Sequence, residues 1–349
     1  MTITNLVSTV HIATADEFVH ELSPLGQRFG GAYYPRGWLY RGHADARWPL
    51  LPTALRSNVS LQTGEWTTGV EQTNKLQIEA EAKIVLEFLR IADRIGLCLP
   101  EDSQSLRRAL EACASASLWT SSFSKELAAG NQRWPPDEFL ALFALAQHHS
   151  VPTRLLDWTT SSYVAAYFAA STAAAWRYKP RNHERHGATH LCLWAITTAV
   201  FMARGFLEHI EGPSTMKPVT TPTAGNTNLR AQQGLFLVER PLSIDPEAPV
   251  DVSPWDESLG KSMSFMRGNP ILYQFCLPLD EAPRLLRLLA FLGTDAAAVF
   301  PGFDGVAATL LERKYWEPSE EAHRRGLGSQ TGTGQSRRRA DPSTGTQNA

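Results

Sequence analysis

The sequence predicts an α+β fold: a small mixed or antiparallel sheet with flanking helices and a helical insertion. Three observations carry this. Strand-like runs at Val7 to Ile12, Trp38 to His43, His190 to Val200, Leu235 to Val238 and Ile271 to Leu277 do not alternate strictly with helices, as a doubly wound sheet would require. Helical periodicity fills the interval from Val70 to about Ala129, between the first strands and the rest. From Ala146 to Ala170 the chain runs through a histidine pair, a Pro-Thr-Arg turn and a Thr/Ser run into a helix whose Ala165, Ala166, Ala169 and Ala170 let its backbone lie close to a sheet.

In chain order, Thr14 with Glu17 three residues on forms a capping-box signature for a helix from about Ala15 to Leu22. A glycine-rich turn, Gly26 to Gly37, leads into the strand Trp38-Leu39-Tyr40-Arg41-Gly42-His43, where the glycine permits close backbone approach. Ser57 to Gly69 reads as a polar loop. Leu76, Ala80, Ile84, Phe88 and Ile91 recur three or four apart until Gly96 ends the helix, and a second helix covers about Asp102 to Ala116. After Trp134-Pro135-Pro136, an apolar helix from Glu138 to Gln147 delivers His148 and His149 at its end. Residues 177–189 are a polar loop, and Glu211 to Asn228, rich in Thr, Pro and Gly, reads as a long mobile loop. Helices from about Asp280 to Leu292 and Asp304 to Tyr315 close the ordered part.

The domain reading follows: residues 1–56 and 136–317 build one core, residues 57–135 are a helical insertion, and residues 318–349 form a disordered basic tail. From Arg324 onward the tail holds Arg324, Arg325 and the triplet Arg337 to Arg339 against Asp341, so the net charge of −2 leaves the preceding 323 residues acidic, without an overall basic footprint for nucleic acid. Whether a local patch engages nucleic acid stays open. With 43% hydrophobic residues the chain can bury a full core. No apolar run is long enough to span a membrane, and the N-terminus lacks a basic stretch followed by an apolar one, so the expected compartment is the cytoplasm. Cys98, Cys113, Cys192 and Cys276 stand apart without CxxC spacing, which argues against a disulfide framework.

Candidate chemistry gathers at four places. Arg41, ending a strand beside Gly42 and His43, suits either a phosphate or ribose ligand or a structural pairing with a carboxylate such as Asp157. Of the adjacent His148 and His149, only one can face any given site, and His149 is the candidate acid/base residue. Asp157-Trp158-Thr159-Thr160-Ser161 presents hydroxyls at a helix head, serving a ligand or the helix cap alone. Gln232 and Gln233 follow the long loop, and any role for them is orientation or hydrogen bonding, since glutamine is no general base. His183, Glu184, His186 and His190 lack the HExxH spacing that puts two histidines on one helical face, so no metal is expected there.

Taken together, Tyr40 to His43, Leu145 to His149 with Pro152 to Thr159, the helix from Tyr163 to Ala169, Arg230 with Gln232 to Phe236, and Phe300 to Gly305 resemble the FRG-domain family, over about Trp38 to Leu311. That family is largely uncharacterised, and its members are associated with bacterial antiphage defence. The order of strand-borne Arg, hydroxyl-rich helix head and loop-borne Glu or Gln is also similar to ADP-ribosyltransferases. This second resemblance implies a sheet core of ADP-ribosyltransferase-like type with NAD as substrate. It implies Arg41, Gly42, His43, Thr159, Thr160 and Ser161 around the dinucleotide, Gln232 or Gln233 on the catalytic loop, and a macromolecular acceptor. The sequence departs from it in reading Asp-Trp-Thr-Thr-Ser at the helix head and in lacking an ExE pair at Gln232-Gln233. A non-catalytic ligand- or nucleic-acid-sensing module, and a hydrolase or nuclease built on His43, His148 or His149 with Asp157, stand as the alternatives.

Overall fold

A computed structural model describes residues 6–23, 29, 37–56, 72–99, 101–115, 123–178, 187–198, 200, 214–220, 226–262 and 270–316. Its centre is a seven-stranded mixed sheet formed by β1 (Val7–His11), β2 (Trp38–His43), β3 (Leu155–Thr159), β4 (His190–Thr197), β5 (Ser214–Val219), β6 (Gly234–Pro241) and β7 (Leu272–Pro278). The spatial order is β1-β7-β4-β2-β3-β6-β5, antiparallel throughout except for the parallel pair β1 and β7. The helices are α1 (Ala15–Glu21), α2 (Asn74–Arg94), α3 (Gln104–Ala114), α4 (Phe123–Ala128), α5 (Leu140–His148), α6 (Ser162–Tyr178), α7 (Thr227–Ala231), α8 (Trp255–Ser262), α9 (Ala282–Phe291), α10 (Ala296–Val299) and α11 (Phe303–Glu312). The α+β expectation holds, with flanking helices on a mixed sheet.

Three apolar clusters hold this arrangement. The first joins α1, α6 and α9 to one face of β2, β4 and β7, through Phe18, Tyr40, Ala166, Leu193, Phe275 and Leu285 among others. The second packs α2, α3 and α5 on β3, β5 and β6 through residues such as Leu89, Leu110, Phe143, Leu155 and Phe236. The third, with Leu39, Leu156, Trp194, Leu237 and Trp255, lines the opposite side of the strands. Alternation along β3 and β6 explains the division: Leu155 and Phe236 belong to the second cluster, and their neighbours Leu156 and Leu237 to the third. β4 is buried at six consecutive positions because it lies inside the sheet with both faces covered.

Local capping follows the sequence. Thr14 Oγ1 accepts from Glu17 N–H at 3.3 Å, Thr73 from Leu76 and Ser103 from Leu106, each satisfying a helix-start donor. The alanine surface of α6 lets that helix approach β2 until the Ala165 carbonyl oxygen stands 1.9 Å from where a Cβ on Gly42 would lie. Only glycine fits that position.

One reading of the sequence is corrected and one element is added. The interval from Glu211 to Asn228 is not one long loop: it contains the edge strand β5, paired with β6 from Ser214 to Val219, and the start of α7, capped by Asn226. Cross-strand pairing overrides its weak local strand propensity. The segment Leu155 to Thr159 is a strand inside the sheet, hidden in the sequence because its length is only five residues and Asp157 interrupts the apolar run. The helical block is present as α2, α3 and α4. Residues 26–28 and 30–36 of the glycine-rich turn, Ser57 to Gly69, His183, Glu184, His186 and the tail from 318 lie outside the described residues.

Candidate functional site

β2 and β3 are neighbours in the sheet, yet they share a single residue pair, Tyr40 with Thr159. Elsewhere β2 continues along β4 and β3 along β6. At this junction lies a cleft of about 550 Å³, within the range of small-molecule sites. It is lined by Arg41 and Gly42 of β2, Ala165 and Phe168 of α6, Gln147 and His148 at the end of α5, Asp157 and Thr159 of β3, and Asn228 and Gln232 around α7. Phe300 and Trp48 add aromatic surface, and the buried Tyr40 borders the cleft from the core.

Arg41 is held from two directions. Its Nη1 donates to the Asp157 main-chain carbonyl at 2.7 Å and meets the Asp157 carboxylate at 3.4 Å. Its Nε donates to His43 Nε2 at 3.0 Å, and the second nitrogen of that ring, Nδ1, lies 3.2 Å from the Trp48 carbonyl. A carbonyl only accepts, so Nδ1 carries the proton and Nε2 is left as the acceptor that Arg41 needs. His43 is therefore neutral. Its pKa is pushed well below the ordinary histidine value by burial first, then by the charges of Arg41 and Arg56. Nη2 of Arg41 bonds no protein atom among the described residues.

Asp157 is half-exposed and tied into a short relay: Gln147 Nε2 donates to its Oδ2 at 3.0 Å, and Thr153 Oγ1 donates to Gln147 Oε1 at 2.9 Å. His148 lines the cleft, with its pKa lowered by burial and then by His149, while the Asp157 charge acts the other way. Arg154 does not pair with Asp157. It forks onto Glu81 at 2.6 and 2.9 Å, tying the turn before β3 to α2.

Of the residues expected around a ligand, the structure brings Arg41, Gly42, Thr159 and Gln232 to one cleft; His43, Thr160, Ser161, Gln233 and His149 do not line it. His43 is 4% exposed, behind Arg41. Thr160 is bonded to Gln233, its Oγ1 to Oε1 at 3.1 Å and its N–H to the Gln233 carbonyl. Ser161 Oγ accepts from Val164 N–H, so it serves the start of α6. His149 stacks on Phe88 with ring centroids 6.4 Å apart and meets the His148 ring edge-on at 5.3 Å, while only His148 lines the cleft. Thr159 Oγ1 donates to the Gln232 carbonyl at 2.7 Å, so this hydroxyl fastens the end of α7 to β3. Gln147, Thr53 and the aromatic residues were not singled out as ligand contacts; the motif around Gln147 and the Phe300-Pro301-Gly302 turn were the sequence signals that pointed to them. Among the described residues no group of three or more His, Cys, Asp or Glu could hold a metal ion.

The family model of the FRG domain matches residues 36–177, from the start of β2 through α6, including the helical block. The chain carries this domain, and the Arg41 strand, the α5 end and the β3–α6 stretch all fall within it. The Gln232 and Phe300 parts of the cleft lie beyond the matched residues. No curated protein and no solved structure matches the chain. No described helix is long and apolar enough to cross a membrane.

Proposed function

We propose that this FRG-domain chain binds an anionic small molecule of the nucleotide class in the β2–β3 cleft, with NAD as the first candidate and Arg41 as the residue that takes its phosphate or ribose oxygens. One observation carries the reading: Arg41 lines the cleft with its guanidinium oriented through Nε and Nη1 while Nη2 stays without a protein partner among the described residues. A guanidinium fixed in this way loses little further entropy when it bonds an anion. Phe168, Phe300 and Trp48 supply flat apolar surface for a base or a nicotinamide ring.

The ADP-ribosyltransferase-like type of core and the use of NAD as a substrate belong to this proposal. Loss of nicotinamide leaves positive charge on the ribose, so a carboxylate beside it stabilises the transition state. Asp157 is the acidic side chain lining the cleft among the described residues. Action against phage, on this reading, follows from consumption of host NAD. A macromolecular acceptor is the further step if transfer, not hydrolysis, is the reaction.

Calorimetric titration with NAD, ADP-ribose and AMP tests the proposal, run beside chromatographic detection of nicotinamide. Binding of at least one of these is expected, with a loss of about 10- to 100-fold in Arg41→Ala, the scale of one charge-assisted hydrogen-bonding group. No binding at millimolar concentration, or unchanged binding in Arg41→Ala, overturns it. Binding without nicotinamide release identifies a sensing module. A second reading, a His/Asp-dependent hydrolase or nuclease, draws on the neutral His148 beside Asp157 in the cleft; cleavage of RNA or DNA lost in His148→Ala would favour it.

A further inference from the structure

The last helix carries an apolar stripe that faces away from the body of the protein. Phe303, Val306, Leu310 and Leu311 are spaced i, i+3, i+7 and i+8, the period of one helical face. Their exposures are 94%, 49%, 58% and 64%, so that face is open to solvent. The opposite face holds α11 to the protein: the Phe300 carbonyl oxygen stands 1.9 Å from a would-be Gly305 Cβ, Thr309 Oγ1 accepts from Ala297 N–H, and Glu312 accepts from the Tyr167 hydroxyl at 2.8 Å. A helix anchored on one side with large apolar residues on the other marks an interaction site, because single exposed apolar residues are ordinary but a periodic row of them is not.

We propose that this stripe is a homodimer contact, in which α11 of one copy packs antiparallel against α11 of a second copy across a two-fold axis. The ends of the helix argue for this occupant. Asp304 stands exposed at the N-terminal end, and Arg313 and Lys314 stand exposed just past the C-terminal end. Neither Asp304 nor Arg313 has a hydrogen-bond or ion-pair partner among the described residues. An antiparallel two-fold sets the acidic end of each helix at the basic end of the other, so the surface is complementary to itself. Asp304 at a helix start and cations at the end also agree with the helix dipole, and the antiparallel pairing brings opposite dipole ends together. Ala307, exposed between Val306 and Leu310, is small enough for two backbones to approach. The following residues, 317–349, hold a single large apolar side chain, Leu327, and so have no matching apolar stripe with which to cover this one.

Sedimentation velocity on the full chain from 1 to 200 μM, about the range in which a contact of modest area dimerises, tests this. Wild type is expected to shift from monomer to dimer over the series. The double variant Val306→Ser with Leu310→Ser, both at exposed positions, is expected to stay monomeric with an unchanged melting temperature. Asp304→Lys is expected to weaken the dimer at least tenfold, and Asp304→Lys combined with Lys314→Asp to restore it. A wild-type chain that stays monomeric across the series overturns the proposal, and so does a dimer untouched by Val306→Ser with Leu310→Ser. A monomer that co-sediments with anionic phospholipid vesicles through the same stripe overturns it in favour of a lipid surface.

Discussion

His43 Nε2 accepts the Nε–H of Arg41 at 3.0 Å, two residues away on the same strand. This bond requires an unprotonated Nε2, and the Trp48 carbonyl at Nδ1 selects that tautomer. His43 is thus a positioning residue that acts through Arg41. Glutamine places an acceptor where Nε2 lies; leucine places none. His43→Gln is expected to keep most ligand affinity, and His43→Leu to lose about tenfold, the worth of one hydrogen bond to a charged group. Equal affinities in the two variants, measured by calorimetry on folded protein, would remove His43 from this role.

The same burial gives a pH dependence of stability. The folded-state pKa of His43 lies well below 6.5, so the unfolded chain binds the proton more readily. Its contribution is complete above about pH 6.5 and declines as the pH falls toward the folded-state value; His148, also lowered, acts with the same sign. The urea midpoint is expected to fall below about pH 6.5, less steeply in His43→Gln than in wild type. Parallel pH profiles would contradict this.

Gln232 and Gln233 are separable. Gln232 lines the cleft, and its Nε2 reaches the Val299 carbonyl only at 3.4 Å, a bond easily exchanged for one to a ligand. Gln233, at φ 48°, holds Thr160 instead. Gln232→Ala is expected to weaken ligand binding about tenfold, the order of a lost hydrogen bond. Gln233→Ala is expected to leave binding unchanged. The reverse pattern in a titration would reassign the loop.

Gly42→Ala is expected to destabilise the protein by about 3 kcal/mol, the upper range for overpacking, because its methyl group would meet the Ala165 carbonyl oxygen at 1.9 Å. Chemical denaturation provides the measurement. A loss below about 1 kcal/mol would mean that α6 can lift from β2 cheaply.

Glu81 is fully buried and accepts from Gln77, Trp134 and both arms of the Arg154 fork. Glu81→Ala strands a buried guanidinium and an indole N–H, and is expected to cost about 3–5 kcal/mol. Urea unfolding measures the loss, and ligand affinity of the remaining folded fraction should be unchanged, since Arg154 is not part of the cleft lining.

What the sequence determined by itself was local. Thr14 announced a helix start because a cap needs only its own next turn. Gly42 announced a close approach, and the alanine row of α6 announced a helix lying near a sheet. The Arg41 strand and the Asp157–Ser161 stretch were legible as chemistry for the same reason: unusual polar residues stood at the ends of apolar elements. The tertiary structure decided everything that depends on a neighbour distant in the chain. β5 exists because β6 pairs with it. Arg154 answers to Glu81 and not to Asp157 because α2 packs over the turn before β3. Between adjacent histidines and adjacent glutamines, spacing cannot choose: His148 and Gln232 line the cleft, while His149 stacks on Phe88 and Gln233 bonds Thr160. Direction in space is set by long-range packing, and no count along the chain records it.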